Sequence, residues 1–269
     1  MLLLRMPLIT LTSDFGIQNH ALASVKGRIL SGFPDASIID ITHTINGFNL
    51  QQTAYVFRQA YRHFPQGSFH FILSELYAHP SRQLLYAFEH GQHIFCADNG
   101  LLTMLFNDKP IQIFRLTELI RPYNLITVTD LFLSTVSAVL DQHNDGMEIV
   151  TVDEIQIKHT ALASYNNDML EAQVLYIDHF GNVVVNVTRH QFDEARRGRK
   201  FTILFMRYAE INTISEHYND VPEGDNLCLF NSADFLELAV NHGNAARLFG
   251  FKESNDQSLF YNTIKIFFE

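Results

Sequence analysis

Along the first 150 positions, apolar residues recur with two alternating periods. Residues 8–14 (LITLTSD) alternate and end polar, which predicts a strand leaving a buried layer. Residues 20–33 (HALASVKGRILSGF) space their apolar side chains for a helix, stopped at Gly32 and Pro34. A strand is expected at 36–42 (ASIIDIT) and an amphipathic helix at 48–64, halted by Pro65 and Gly67. Strands are predicted at 68–74, 84–90 and 93–98, and a helix at 129–142 capped at Thr129 or Asp130. Strands alternating with helices specify an α/β layer with mostly parallel strands, and the unbroken run of three strands makes the sheet mixed.

The pattern changes near Glu171. Short β runs follow at 172–178, 182–188, 200–206, 226–231 and 263–269, interrupted by one expected helix at 235–249. Close spacing of short strands points to an antiparallel barrel or sandwich. The boundary falls near 155–170, which divides the chain into an α/β domain over 1–160 and an all-β domain over 168–269.

Composition narrows the partners. The chain has 269 residues, 47% of them hydrophobic, enough for a core. Its net charge of -10 argues against a nucleic-acid partner, which selects a basic face. The basic run 196–200 (RRGRK) reads as a solvated loop. Cys96 and Cys228 form no CxxC pair, as expected in a reducing compartment. No run reaches the length of a membrane span and no secretory leader is visible, so a cytoplasmic protein is expected. Met6 is an alternative start.

Candidate chemistry sits at strand ends. Asp14, after the first strand, suits two ribose hydroxyls or a helix cap. Ala97-Asp98-Asn99-Gly100 is a second ligand edge or an ordinary turn. Asp178-His179-Phe180-Gly181-Asn182 is a hairpin turn or a grip for a small polar ligand. GxGxxG, Walker, GxSxG and HExxH motifs are absent from the sequence. His90 and His93 fit a turn between strands, and His43 a hydrogen-bonded structural histidine.

The order of short motifs is more specific than any one of them. TSDFG, VKGRIL, IIDITHTI, FPQGSFHF, ADNGLLT, DHFGNVVVN and NSADFLELAVNHGNAA together resemble the SAM hydroxide adenosyltransferase family, relatives of the SAM-dependent fluorinase and chlorinase. The resemblance implies an N-terminal α/β domain and a C-terminal β-barrel. It also implies a homotrimer, with SAM (as substrate, without a further cofactor or metal) between the α/β domain of one subunit and the barrel of the next. The implied reaction is SAM plus water to adenosine and methionine.

By the same resemblance, Asp14 meets the ribose, with Phe15 beside it. Asp178 and Asn182 hold the methionine end, with Phe180 adjacent, and Ser232 meets the methionine carboxylate. Asn244 and Ala245 form the adenine edge. The catalytic positions depart from the family pattern. Glu75 stands for an Asp, Arg82 matches an Arg, and Thr127 replaces a His; Asn19 and Ala21 replace an Asp and a Tyr. Two functions are therefore expected in competition: a SAM hydrolase using Glu75, Arg82 and Thr127, or a trimer that binds SAM or adenosine with little turnover. Use of chloride is disfavoured by the acid at position 75.

Overall fold

Residues 6–77, 82–106, 111–117, 122–143, 146–166, 168–206, 209–251 and 263–269 are described by the computed structural model of the chain. Residues 78–81, in the middle of the ILSELYAHPSRQ stretch, and the first five residues lie outside them. The chain separates into two units, one running through His159 and the other starting at Thr160.

In the first unit, β1 (Leu8–Ser13), α1 (His20–Gly32), β2 (Ser37–Thr42), α2 (Leu50–Tyr61) and β3 (Phe69–Leu73) follow the predicted alternation. Next come β4 (Leu84–Glu89), β5 (Gln92–Ala97), α3 (Leu101–Phe106), β6 (Gln112–Leu116), α4 (Leu125–Leu140) and β7 (Met147–Val150). The seven-stranded sheet has the order β2-β1-β3-β5-β4-β6-β7. Strands β2, β1, β3 and β5 run parallel. The β4–β5 hairpin and strands β6 and β7 pair antiparallel, giving the expected mixed sheet.

Period-two alternation sends the strand side chains to two separate cores. Phe69, Phe71 and Leu73 of β3 pack with Val25, Ile29 and Phe132 of α1 and α4. Ile72 faces the other layer, with Phe57 and Tyr61 of α2 and Met104 of α3. The sheet is thus covered on both faces, as parallel strands require.

Asparagine side chains start the helices: Asn19 caps α1 and Asn49 caps α2. Helix α4 begins a turn earlier than predicted. Asn124 Oδ1 accepts from the amides of Ile126 (3.0 Å) and Thr127 (3.1 Å), and Thr127 Oγ1 accepts from the Asn124 amide (3.1 Å). This reciprocal cap outcompetes Thr129, which is buried and bonds back to Leu125 O, and Asp130, which pairs with Arg28 of α1.

The second unit contains β8 (Ser164–Asn166), β9 (Met169–Ile177), β10 (Val183–Thr188), α5 (Arg189–Arg196), β11 (Phe201–Met206), β12 (Ala209–Ile211), β13 (Asn226–Phe230), β14 (Phe235–Val240), α6 (Ala245–Phe249) and β15 (Thr263–Phe268). All pairings between these strands are antiparallel, in the order β12-β11-β15-β9-β10-β14-β13, with β8 on β9. The two ends of that path approach each other. Ile214, just past β12, bridges Cys228 of β13, and the Ser215 amide donates to Cys228 O at 2.8 Å. The sheet is therefore a nearly closed barrel around Val185, Phe192, Ile203, Leu238 and Ile266.

The helix predicted at 235–249 is a strand followed by one short helix. FLELAV fits either period, but β14 has ladder partners on both sides, β10 and β13, and sends Leu236, Leu238 and Val240 into the barrel. Long-range pairing overrides the local pattern. Arg196 closes α5, and the rest of the basic run, 197–200, is a loop as expected, with Arg196 and Arg199 lying over Phe201 and Phe268. No helix among the described residues is long and apolar enough to cross a membrane.

Candidate functional site

The chain leaves β1 outward to β2 and returns past β1 to β3, so α1 and α2 cover opposite faces of the sheet. The carboxyl ends of β1 and β3 thus form a topological switch point, where open α/β sheets leave a crevice. Asp14 follows β1 and Glu75 follows β3. The two are brought together: Asp14 Oδ2 accepts from the Glu75 amide at 3.1 Å. Asp14 is not the cap of α1, since Asn19 fills that position. Phe15 and the positive-φ Gly16 line an open recess of about 510 Å³ with Ile17, Gln18, Asn19 and Thr44. The Gly16 amide donates to His43 O at 2.7 Å. His43 Nδ1 pairs with Ser13 Oγ at 2.7 Å, the structural role expected of it.

Glu75 is half-buried and adopts a left-handed backbone, φ 49°. Burial pushes its carboxyl above the ordinary glutamate range, and the Asp14 charge adds to that. The Lys158 charge and the Leu50 amide at the start of α2 pull it down. Ser74, the preceding residue, has a buried hydroxyl with no protein partner among the described residues. The ADNG segment is both a turn and a brace. Asn99 Nδ2 donates to the carbonyls of Ser74 (3.2 Å) and Glu75 (3.4 Å), while its Oδ1 accepts from the Leu101 amide.

Arg82 and Thr127 lie at the start of α4. The Arg82 guanidinium sits over the Tyr123 ring at 5.6 Å, and no ion pair joins it to Glu75 among the described residues. Tyr123 OH donates to Leu76 O at 3.1 Å, and Tyr77 meets its ring edge-on. Tyr123 therefore holds both shoulders of the 75–82 segment, a role that nothing in the local sequence announces. The Thr127 hydroxyl proton is committed to Pro122 O at 2.7 Å, which leaves little beyond one lone pair for a water.

In the barrel unit, the 177–186 stretch is a β9–β10 hairpin whose turn is built around Asp178. Asp178 Oδ1 accepts from the amides of Phe180 (2.9 Å) and Asn182 (2.8 Å), and Oδ2 from Asn182 Nδ2 (3.0 Å). A carboxylate with about four lone-pair sites retains one acceptor direction for a ligand cation. Phe180 is 72% exposed beside it, and Asn182 is buried. Gly181, at φ 85°, is packed on Asn244, and its carbonyl accepts from the Ala246 amide at 2.8 Å. The turn therefore touches the segment carrying Asn244, the cap of α6, and the buried Ala245.

Ser232 is exposed on the β13–β14 turn. Asn231 shapes that turn by accepting from the amides of Ala233 and Phe235 and donating to Glu237 Oε2 at 3.1 Å. Glu237, 4% exposed, also accepts from Tyr218 OH at 2.7 Å. Burial, together with the Asp178 charge, raises the Glu237 carboxyl above its usual range, against the pull of these two donors. Glu237 and Tyr218 were not foreseen, because their meeting needs strand pairing and a loop from 19 residues away. Both cysteines are buried and free; burial pushes the Cys228 thiol up to about 12 and the Cys96 thiol higher still, away from thiolate chemistry.

Two acids at a strand switch point and an Asp-braced hairpin on an antiparallel barrel mark a chain with an α/β unit followed by a barrel unit. Its N-terminal part, residues 9–150, matches the SAM hydroxide adenosyltransferase N-terminal domain, and residues 172–257 match the corresponding C-terminal domain. The chain belongs to the SAM hydroxide adenosyltransferase family. A relative from Methanocaldococcus jannaschii, named (R)-S-adenosyl-L-methionine hydrolase, is 27% identical over 261 residues, covering 90% of this chain and 91% of its own. A protein of the same name from Thermus thermophilus is 25% identical over 259 residues, covering 90% and 94%. A crystal structure of a conserved protein from Thermotoga maritima shares the fold, with a TM-score of 0.80 at 22% identity over 96% of this chain and 99% of that one.

Proposed function

We propose that the protein is a SAM hydrolase that attacks the ribose C5′ with water and releases adenosine and methionine. One observation carries the reading: a half-buried Glu75 at the β1/β3 switch point, its amide held by Asp14 and its carboxyl raised above the ordinary glutamate range by burial. A carboxylate with a raised pKa is a competent proton acceptor for water near neutral pH. The reaction asks for little else. The sulfonium leaves as a neutral thioether, so no general acid is needed at sulfur. The site orients the water, accepts its proton and excludes bulk solvent.

In this reading Asp14 accepts from the ribose hydroxyls and Glu75 takes the proton of the attacking water. The buried Ser74 hydroxyl is a ready partner for that water. Arg82 and Thr127 border the site, Thr127 chiefly by fixing the start of α4. Asp178 accepts from the substrate ammonium, Asn182 and Ser232 hold the methionine end, Phe180 covers it, and Asn244 and Ala245 read the adenine edge. The two clusters belong to one site formed across a homotrimer, each α/β domain facing a neighbour's barrel. Two buried free cysteines fit a reducing, cytoplasmic setting. The relatives' name supports the R sulfonium epimer as the substrate.

The test is incubation with each sulfonium epimer of SAM, following adenosine and methionine by chromatography against heat-killed protein. Equal amounts of both products from the R epimer support the reading. Absence of product while SAM raises the melting temperature replaces it with a SAM-binding trimer, which the committed Thr127 proton favours. A monomer in light scattering at micromolar concentration refutes the shared site.

A further inference from the structure

Strand β14 alternates its side chains across the barrel wall. Leu236 and Leu238 lie in the barrel core, so Glu237 stands on the outer face. Its ladder partners are Val184 of β10 and Leu229 of β13. On that face Leu227, Leu229 and Ala239 form a small apolar strip, with Val221 packed on it. An apolar side chain would suit this strip, yet position 237 holds a buried carboxylate. Burying a carboxylate is costly unless its oxygens are bonded. Both are: Oε1 accepts from Tyr218 OH at 2.7 Å and Oε2 from Asn231 Nδ2 at 3.1 Å.

The Asn231 bond governs what the β13–β14 turn can offer. An ionised carboxylate only accepts, so Asn231 turns its NH2 toward Glu237 and its Oδ1 toward the turn. That oxygen accepts from the amides of Ala233 (3.0 Å) and Phe235 (3.2 Å). The Asp234 amide donates to Asn231 O at 2.8 Å. Three successive amides are thus consumed within the turn. Arg189 fixes its far side, its amide donating to Asp234 O at 3.0 Å and its Nε to Asp234 Oδ1 at 2.9 Å. Among the described residues none accepts from the amide or hydroxyl of the exposed Ser232. A reversed Asn231 amide would set its NH2 against two N–H donors and its oxygen against the carboxylate. We infer that Glu237 is a positioning residue for recognition of the substrate carboxylate: through Asn231 it fixes the turn that presents the Ser232 amide and hydroxyl. The inference rests on the reading that Ser232 meets the methionine carboxylate. Glu237 acts through Asn231 and not on the substrate itself.

The experiment compares wild type, Glu237→Leu and Glu237→Gln with two ligands. One is SAM; the other is decarboxylated SAM, which keeps the sulfonium and the amine but lacks the carboxylate. Calorimetry gives Kd for each, and adenosine formation gives KM and kcat for SAM. Glu237→Leu should weaken SAM binding by at least about fivefold, the scale of one lost hydrogen bond. Its Kd for decarboxylated SAM should stay within about twofold of wild type. KM for SAM should rise while kcat holds. Glu237→Gln, whose carbonyl can still accept from Asn231 Nδ2, should return SAM affinity toward wild type. If Glu237→Leu does not fold, Asn231→Ala breaks the same link from the turn side and carries the same comparison. SAM affinity unchanged in the variant overturns the inference, and so does an equal loss for both ligands, which marks a general loosening of the barrel. A wild type that binds both ligands equally, or neither, also overturns it, while adenosine formation in the same protein leaves the hydrolase reading standing. A loss confined to SAM in a protein that forms no adenosine upholds the role of Glu237 and removes the hydrolysis.

Discussion

Replacing Gly181 with Ala tests how the Asp178 hairpin and the α6 segment of the barrel are joined. Gly181 has φ 85°, and an added Cβ would stand 2.2 Å from Asn244 Cγ. The left-handed backbone costs an alanine about 1–2 kcal/mol. Relief of the contact requires one of two things. Either the turn shifts against α6, an overpacking cost of about 1–3 kcal/mol, or Asn244 rotates away and gives up its 2.7 Å cap to the Arg247 amide, a loss of about 0.5–2 kcal/mol. The total is about 2–4 kcal/mol, or roughly 4–16 °C in melting temperature for a chain of this size. Thermal unfolding by circular dichroism measures it. Asn244→Ala removes the obstructing atoms, so Gly181→Ala/Asn244→Ala should be less damaging than the sum of the single changes by about 1 kcal/mol. A Gly181→Ala protein melting within about 1 °C of wild type refutes the close packing, and strict additivity refutes the contact with Asn244.

Asp178→Ala leaves two turn amides without their acceptor and costs about 1–3 kcal/mol of stability. Asp178→Asn keeps most of the turn but removes the charge, and calorimetry should show SAM affinity at least about tenfold weaker, roughly 1.4 kcal/mol; wild-type affinity would take the carboxylate out of ligand binding. Glu75→Gln should lower kcat at least about tenfold with KM little changed, and unchanged turnover would remove Glu75 from the chemistry. Because the folded pKa of Glu75 is raised, its ionised form destabilises the fold above that pKa, and the cost vanishes as pH falls through it toward the unfolded value. Glu75→Gln should therefore melt higher than wild type at pH 8, with the difference shrinking by pH 4, and equal differences at both pH values would count against the burial argument. Asn124→Ala should lose about 1 kcal/mol through the α4 cap, and a melting temperature equal to wild type would place the start of α4 elsewhere.

The sequence alone determined the features set by local periodicity and by short polar motifs. The strand–helix alternation from Leu8 to Tyr61 was legible because short apolar strand runs alternate with helices of 3.6-residue spacing, and the helices are bounded by asparagine caps and Pro/Gly stops. The family followed from the order of its motifs, and the Asp178–Asn182 turn from residue types suited to turns. What needed the tertiary structure was whatever depends on partners distant in the chain. FLELAV became a strand because β10 and β13 flank it, which no local helix signal can outweigh. Asn124 rather than Thr129 starts α4, because the reciprocal cap with Thr127 forms only in that register. In that register the Thr127 hydroxyl, which sequence alone left free to hold water, accepts from the Asn124 amide and donates to Pro122 O. Asp14 and Glu75 meet across 61 residues because β1 and β3 are sheet neighbours. Residue types can name the acids of a site; which groups meet there is decided by distance and burial, and only the folded chain sets those.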